Sequence, residues 1–253
     1  IINVQRGGPG LGSIQPAQSD YYQATHAMGH GDFHILVFAP CSVQEMVDTV
    51  MKAFDKADEY RIPAMILADG LLGQMMEPVA FPPARETLPD KSDWAACGHG
   101  NKRPHHIINS LYLDAPLLEK NVKERFERYA IIEEHETDAE LYQCDDAELV
   151  VTAYGASARV AKSAVMTARK QGLKVGLFRP KTLWPFPKKE LNQAIAHASQ
   201  LLCVEMSMGQ MIDDVRLAIN CSRPVAFFGR TGGVIPTPAE VLAEIKKLMG
   251  GEA

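Results

Sequence analysis

Apolar residues recur along this chain in two alternating rhythms. HILVF over 34–38 and AMILAD over 64–69 are short β-rich runs of strand length. Between them Met46, Val47, Val50, Met51 and Phe54 repeat at the three-to-four spacing of one helix face. Ser42 followed by Glu45 has the form of a capping box, so this helix is predicted to start there and to end near Tyr60. A strand, a helix and a strand joined by short links predict a βαβ unit and therefore a parallel sheet.

From Glu77 to about His106 the rhythm stops. EPVAFPPARETLPDKSDWAACGHGNKRPHH is rich in proline, glycine and charge and reads as an excursion or a crossing between domains. Asp114 to about Leu141 then reads as a polar helical connector, with Pro116 in its first turn. From Ala147 the alternation returns. AELVVTAYG, KVGLF, QLLCVEM and PVAFF are strand-like; SARVAKSAVMTARKQG, KKELNQAIAHA, GQMIDDVRLAI and TPAEVLAEIKKLM are helix-like; RPKTLWPFP is a proline-punctuated turn. The pattern divides the chain into 1–80, 81–146 and 147–253, the last a parallel α/β domain.

Net charge −5 argues against a nucleic-acid partner and against an anionic membrane surface. The apolar runs fall well short of the roughly 20 residues that span a bilayer. Cys41, Cys97, Cys144, Cys203 and Cys221 are scattered and odd in number, which suits reduced thiols in a cytoplasm rather than a disulfide scaffold. The chain starts in the strand-like IINV without a Met, so its first sheet is expected to have neighbours upstream of Ile1.

The chemistry with most to say lies at QRGGPGLGS, residues 5–13, where Arg6 is followed by four glycines and a proline. Gly8, Gly10 and Gly12 run G-x-G-x-G, not the dinucleotide G-x-G-x-x-G, and Ser13 stands where a P-loop has Lys. Two readings stay open here: an arginine facing an anion beside open backbone, or a glycine turn beside a surface charge. Other residues at predicted strand ends include Asp69, Glu205 and Arg230, the last followed by Gly232 and Gly233. Asp69 is a candidate for a cofactor or subunit contact or a turn former; Arg230 is a candidate for an anion or a partner loop. His26, His30 and His34 recur every four residues, but Gly29, Gly31 and Asp32 interrupt any shared helix. Cys97, His99, His105 and His106 match no standard zinc spacing, and Trp184 and Phe186 read as core or interface anchors. No metal site is assigned.

NVQRGGPGLG, SVQEM, ILADGLLGQMMEPV, AYGASARVAKSAV, GLFRPKTLWPFP, VEMSMGQMIDDVRLA and GRTGGVIPTP, in this order, resemble the alpha-type subunit of the 2-oxoacid:ferredoxin oxidoreductases. The resemblance implies that 1–80 is the C-terminal half of a thiamin diphosphate pyrimidine-type domain whose N-terminal part is missing. It makes 81–146 an excursion and linker, and 147–253 a transketolase C-terminal-like domain. It also implies oxidative decarboxylation of a 2-oxo acid to acyl-CoA with reduction of ferredoxin. Thiamin diphosphate and Mg would be shared with a partner subunit and iron–sulfur clusters carried elsewhere. The partners would be beta, gamma and ferredoxin-like delta subunits, ferredoxin and coenzyme A, in the cytoplasm. No thiamin-type glycine-aspartate motif and no C-x-x-C series occurs in this chain.

By the same resemblance Arg6 binds the carboxylate of the 2-oxo acid, with Gly8, Gly10 and Leu11 in its pocket. Relatives acting on 2-oxoglutarate tend to carry a serine-threonine pair where this chain has Gly10 and Leu11, so a branched substrate, 2-oxoisovalerate, is favoured. The alternatives are 2-oxoglutarate as substrate, an assembly module with no catalytic residue of its own, or Leu11 simply packed under the turn.

Overall fold

The structure is a computed structural model that describes residues 1–26, 29–83 and 86–250. The first part comprises β1 (Ile2–Gln5), α1 (Tyr21–Thr25), β2 (Leu36–Phe38), α2 (Val43–Tyr60), β3 (Ala64–Asp69) and α3 (Gly70–Gln74). Then come α4 (Ala115–His135) and β4 (Ala139–Tyr142). The rest is β5 (Leu149–Thr152), α5 (Gly155–Lys170), β6 (Val175–Pro180), β7 (Thr182–Trp184), α6 (Lys188–Ala194), β8 (Gln200–Glu205), α7 (Met211–Ala218), β9 (Val225–Gly229) and α8 (Pro238–Leu248).

Two sheets result, ordered β1-β3-β2-β7 and β4-β6-β5-β8-β9. β1, β3 and β2 are parallel, as are β6, β5, β8 and β9. Each sheet ends in an antiparallel strand that the periodicity does not reveal. β7 lies inside the predicted turn RPKTLWPFP, yet it leaves the strands around it and pairs with β2, placing Trp184 opposite Val37. β4 lies at the end of the predicted helical connector and pairs with β6, Tyr142 opposite Leu177. Both are edge strands, the positions where flanking prolines and polar residues are tolerated.

Helix α2 starts as expected, with Ser42 Oγ accepting the Glu45 amide at 3.1 Å. The reciprocal half differs: Glu45 Oε2 accepts the Cys41 amide at 2.8 Å and the carboxylate also takes a fork from Arg179 at 2.8 and 2.9 Å. Arg179 of β6 is 3% exposed and donates through Nε to Glu140 of β4 at 2.8 Å. Lys162 of α5 closes the network on Glu140. One guanidinium thus ties α2 of the first layer to both strands at an edge of the second.

The larger core runs through both halves. Leu36, Val37, Ile66 and Leu67 of the first sheet share it with Phe178, Leu183, Leu201 and Met211, while Tyr129 and Ile132 of α4 cover it. A second cluster lies beneath α5 and α8 around Val151, Leu177, Val204, Val241 and Ile245. His34 stacks on Trp184 at 4.6 Å between ring centroids, so Trp184 is an anchor of the shared core. No described helix is long and apolar enough to cross a membrane.

Candidate functional site

The parallel strands of both sheets deliver their carboxyl ends to one rim, the place where ligands meet sheets of this kind. At the end of β1 the Gln5 side chain is buried, donating to the Ala68 carbonyl and accepting the Asp20 amide. The chain then leaves in a closed loop. Its neck is fixed by Gly7 N donating to Gln15 O at 2.8 Å, Ser13 N donating to Gly7 O at 2.7 Å, and a bridge between Arg6 and Pro16. Gly12 has a φ of +48°, and a Cβ there would lie 2.0 Å from Gly7 O, so only glycine closes the loop.

Arg6 holds the tip of this loop. Its Nη1 donates to Leu11 O at 2.8 Å and its Nη2 to Gly10 O at 3.0 Å. Arg6 is exposed, and its charge faces neutral carbonyls, groups that a carboxylate can replace with a stronger, charge-assisted partner. Leu11 is 94% exposed at the tip, so it does not pack under the turn. An isoleucine, Ile14, is also exposed on the loop, giving the rim an apolar lip beside the cation.

Beneath the loop lies a floor of buried polar groups. Asp69 caps α3, with Oδ1 accepting the Leu71 and Leu72 amides at 3.1 Å each and Oδ2 accepting the Ala156 amide of α5 at 3.0 Å. Burial pushes its carboxyl above the usual range, against the pull of those three amides. Asp69 is therefore a joint between the two sheets. Gln18 makes another: Nε2 donates to Tyr154 O at 2.8 Å, while Oε1 accepts Ser157 Oγ at 2.6 Å and the Met206 amide at 3.0 Å. Farther along, Tyr21 donates to Asp214 at 2.5 Å and Tyr22 donates to Asp213, joining α1 to α7.

Glu205, at the end of β8, is fully buried against the start of α7. Its carboxylate accepts Ser207 Oγ at 2.8 Å and the amides of Gln210, Met211 and Ile212 at 3.0–3.3 Å. A carboxylate suits these otherwise orphaned donors at a positive helix end. Glu205→Gln keeps the shape but turns an NH2 toward amide donors; a loss of about 2–3 kcal/mol is expected. Thermal unfolding checks this, and an unchanged melting temperature would contradict it.

The loop after β9 completes the rim. Arg230 N donates to Glu205 O at 3.1 Å, and Arg230 Nη2 donates to Glu240 Oε1 at 2.6 Å. Glu240 is also the carboxylate of the Thr237 capping box at α8. The guanidinium of Arg230 is thus held by its own domain. Backbone brings this loop to the first: a Cβ on Gly7 would sit 3.2 Å from the Gly232 carbonyl carbon.

The structure accordingly gathers Arg6, Gly8, Gly10, Leu11, Asp69 and Arg230 around one rim, in distinct settings. Sequence reasoning named Glu205 only as a strand-end residue and missed Gln18; both act through contacts more than 100 residues away in the chain or through a helix start that has no local marker. His26 follows the end of α1 and lies 3.5 Å from Asp214, whereas His34 stacks on Trp184. His99 and His105 approach to 4.0 Å between ring centroids in the excursion. Among the described residues no group of three or more His, Cys, Asp or Glu side chains converges as metal ligands would.

Two coupled parallel-sheet layers with a glycine loop carrying a cation on their common rim define an α/β protein of the ligand-at-the-strand-ends class. Comparison with known proteins narrows this. Residues 1–140 match the family model "Pyruvate flavodoxin/ferredoxin oxidoreductase, thiamine diP-bdg", and residues 147–241 match "Pyruvate:ferredoxin oxidoreductase core domain II". The chain is 46% identical to the ketoisovalerate oxidoreductase subunit VorB of Methanothermobacter marburgensis, over 99% of this chain and 70% of that protein. It is 33% identical to the 2-oxoglutarate synthase subunit KorA of the same organism, over 99% of this chain and 72% of the relative. A solved 2-oxoglutarate:ferredoxin oxidoreductase from Magnetococcus marinus, with 2-oxoglutarate, coenzyme A and succinyl-CoA bound, shares the fold at a TM-score of 0.79 and 21% identity. That match covers 97% of this chain and 48% of the solved one. The chain belongs to the 2-oxoacid:ferredoxin oxidoreductase family, whose members bind thiamine diphosphate and act as oxidoreductases.

Proposed function

We propose that this chain is the substrate-facing subunit of an oxidoreductase that oxidatively decarboxylates a branched-chain 2-oxo acid, 2-oxoisovalerate foremost. Acyl-CoA and reduced ferredoxin are the products of this reading. The observation that carries it is the Arg6 loop, with a guanidinium resting on exchangeable carbonyls and an aliphatic side chain exposed beside it. The similarity to a ketoisovalerate oxidoreductase subunit over nearly the whole chain supports the choice of substrate.

Arg6 exchanges the Gly10 and Leu11 carbonyls for the substrate carboxylate, and its planar fork fixes the orientation of the adjacent 2-carbonyl. Gly8 and Gly10 keep the backbone thin enough for the substrate to approach, and Leu11 covers its branched tail, excluding water. Thiamin diphosphate, when bound, would supply the electron sink for decarboxylation. Its diphosphate and Mg end does not fit the carboxylates of this chain's rim: Asp69 and Glu205 already accept backbone amides. We assign that end, and the iron–sulfur clusters, to beta, gamma and ferredoxin-like delta partners in a cytoplasmic complex. Exposed Phe81, Leu88, Ile107, Leu111 and Leu113 on the excursion support contact with such partners.

Substituting Leu11→Thr tests the specificity, with Gly10 left in place because its φ of +62° strains any side chain. Removing the aliphatic lip is expected to lower kcat/KM for 2-oxoisovalerate by about 10–100-fold and to raise it for 2-oxoglutarate. Steady-state assays with both acids measure this. Unchanged ratios would remove Leu11 from the pocket.

A further inference from the structure

We infer that Gly233, in the loop after β9, is a positioning residue for Arg6: it is the surface of the second layer against which the neck of the substrate loop is seated. The inference rests on the proposed role of Arg6 and extends it across the two sheets.

Gly233 has a φ of +101°, and a Cβ built on it would lie 2.3 Å from Gln15 Cβ, 3.1 Å from Gln15 Cγ and 3.2 Å from Ser13 Oγ. The 2.3 Å contact decides the matter. Gln15 Cβ is bonded directly to the backbone, so no rotation of the glutamine side chain relieves it. Carbon atoms settle about 3.5–4.0 Å apart, hence one backbone must retreat by on the order of 1 Å.

Both sides are hydrogen-bonded, and the share of the retreat that falls on the Arg6 loop is passed along its neck. The Gly233 side is braced by Arg230 N on Glu205 O, by the Arg230–Glu240 pair and by Val234 N on Thr231 O, and Glu205 itself is locked to the start of α7. The other side is a surface loop whose neck runs through Gln15: its carbonyl accepts Gly7 N, and its amide donates to Ser13 Oγ at 2.9 Å. Moving Gln15 therefore pulls on Gly7, the residue next to Arg6. A misplacement of about 1 Å in a substrate-orienting group reduces rate by up to about 100-fold.

The neighbouring glycine supplies the control. Gly232 also has a positive φ, +67°, but a Cβ there meets nothing within 4 Å. In the assembled oxidoreductase, Gly233→Ala is expected to raise KM for 2-oxoisovalerate about tenfold or more, whereas Gly232→Ala keeps it within about twofold. Adding Gln15→Gly to Gly233→Ala removes the opposing Cβ and is expected to recover most of the loss, a coupling that simple destabilisation does not produce. Gln15→Gly alone loosens the same contact from the loop side and is expected to raise KM a few-fold, which keeps the test open if Gly233→Ala fails to assemble.

Hydrogen exchange of the segment containing Gly7 and Ser13 gives a reading independent of turnover, expected to quicken in Gly233→Ala and not in Gly232→Ala. Unchanged exchange in Gly233→Ala, or equal kinetic losses in both glycine variants without rescue by Gln15→Gly, overturns the inference. If Arg6→Ala raises KM and Gly233→Ala does not, the positioning role alone falls. If Arg6→Ala leaves KM unmoved, the substrate reading falls and takes the positioning role with it.

Discussion

Arg6→Ala is expected to lower kcat/KM for 2-oxoisovalerate by about 100–1,000-fold while leaving subunit assembly intact. A forked guanidinium–carboxylate contact consists of two charge-assisted hydrogen bonds, each worth about 1.5–3 kcal/mol. Losing some 3–4 kcal/mol of it corresponds to that rate factor. Arg6→Lys keeps the charge but not the fork, so it should restore no more than about a tenth of the wild-type value. Assembly is spared because the hydrogen bonds of this exposed side chain stay within its own loop. Full turnover with an intact complex would instead make this chain an assembly module.

Arg179→Ala is expected to have the largest effect on stability, a loss of about 3–5 kcal/mol, because the partly buried Glu45 carboxylate loses the guanidinium fork that pairs it and Glu140 is left with Lys162 alone. For a chain of this size the melting temperature should fall by about 6–20 °C. The pH dependence supplies the sign. Burial pushes the Glu45 and Glu140 carboxyls up, but the hydrogen bonds and charges of Arg179, with Cys41 and Lys162, outweigh burial and hold both below the usual range. A lowered folded-state pKa means stabilisation that is full above the unfolded-state value, about 4.3 for glutamate, and lost as pH falls through the folded-state value. The gap between wild type and Arg179→Ala should thus be widest near pH 7 and narrow below about pH 4. A constant gap across that range would remove the ion network from the explanation.

How far the sequence carries depends on where each element finds its partners. The α2 helix is legible because its signals are local: a Ser42 cap, a 3.6-residue apolar rhythm and an end at Tyr60. The inner parallel strands β2, β3, β5, β6 and β8 are legible because burial on both faces demands continuous apolar runs. β7 is hidden because Pro180, Pro185 and Pro187 around it speak for a turn, and only the distant edge of β2 makes TLW a strand. β4 is hidden because AELY is a half-buried edge that follows a polar helix without a break in composition.

The site divides in the same way. The glycine spacing around Arg6 reveals an open loop, and the family resemblance gives the arginine something to bind. Neither reveals that the guanidinium rests on Gly10 and Leu11 carbonyls, which depends on how the closed neck folds back. At Asp69 the strand end leaves a cofactor or subunit contact and a turn former equally open; neither reading reveals that one oxygen caps α3 while the other reaches Ala156 in the other layer. Gln18, in the unpatterned stretch QPAQSD, joins both layers with a single carboxamide, a task invisible without tertiary structure.

The most direct test of the central claim is the specificity of the assembled enzyme. The full-length chain would be purified with its natural partners under anaerobic conditions, and reduction of ferredoxin or a viologen dye would be followed with coenzyme A and either 2-oxoisovalerate or 2-oxoglutarate. A higher kcat/KM for 2-oxoisovalerate is expected, from a complex containing thiamin and iron. A preference for 2-oxoglutarate would contradict the role given to Leu11, and a chain that purifies alone and inactive would contradict the proposed function itself.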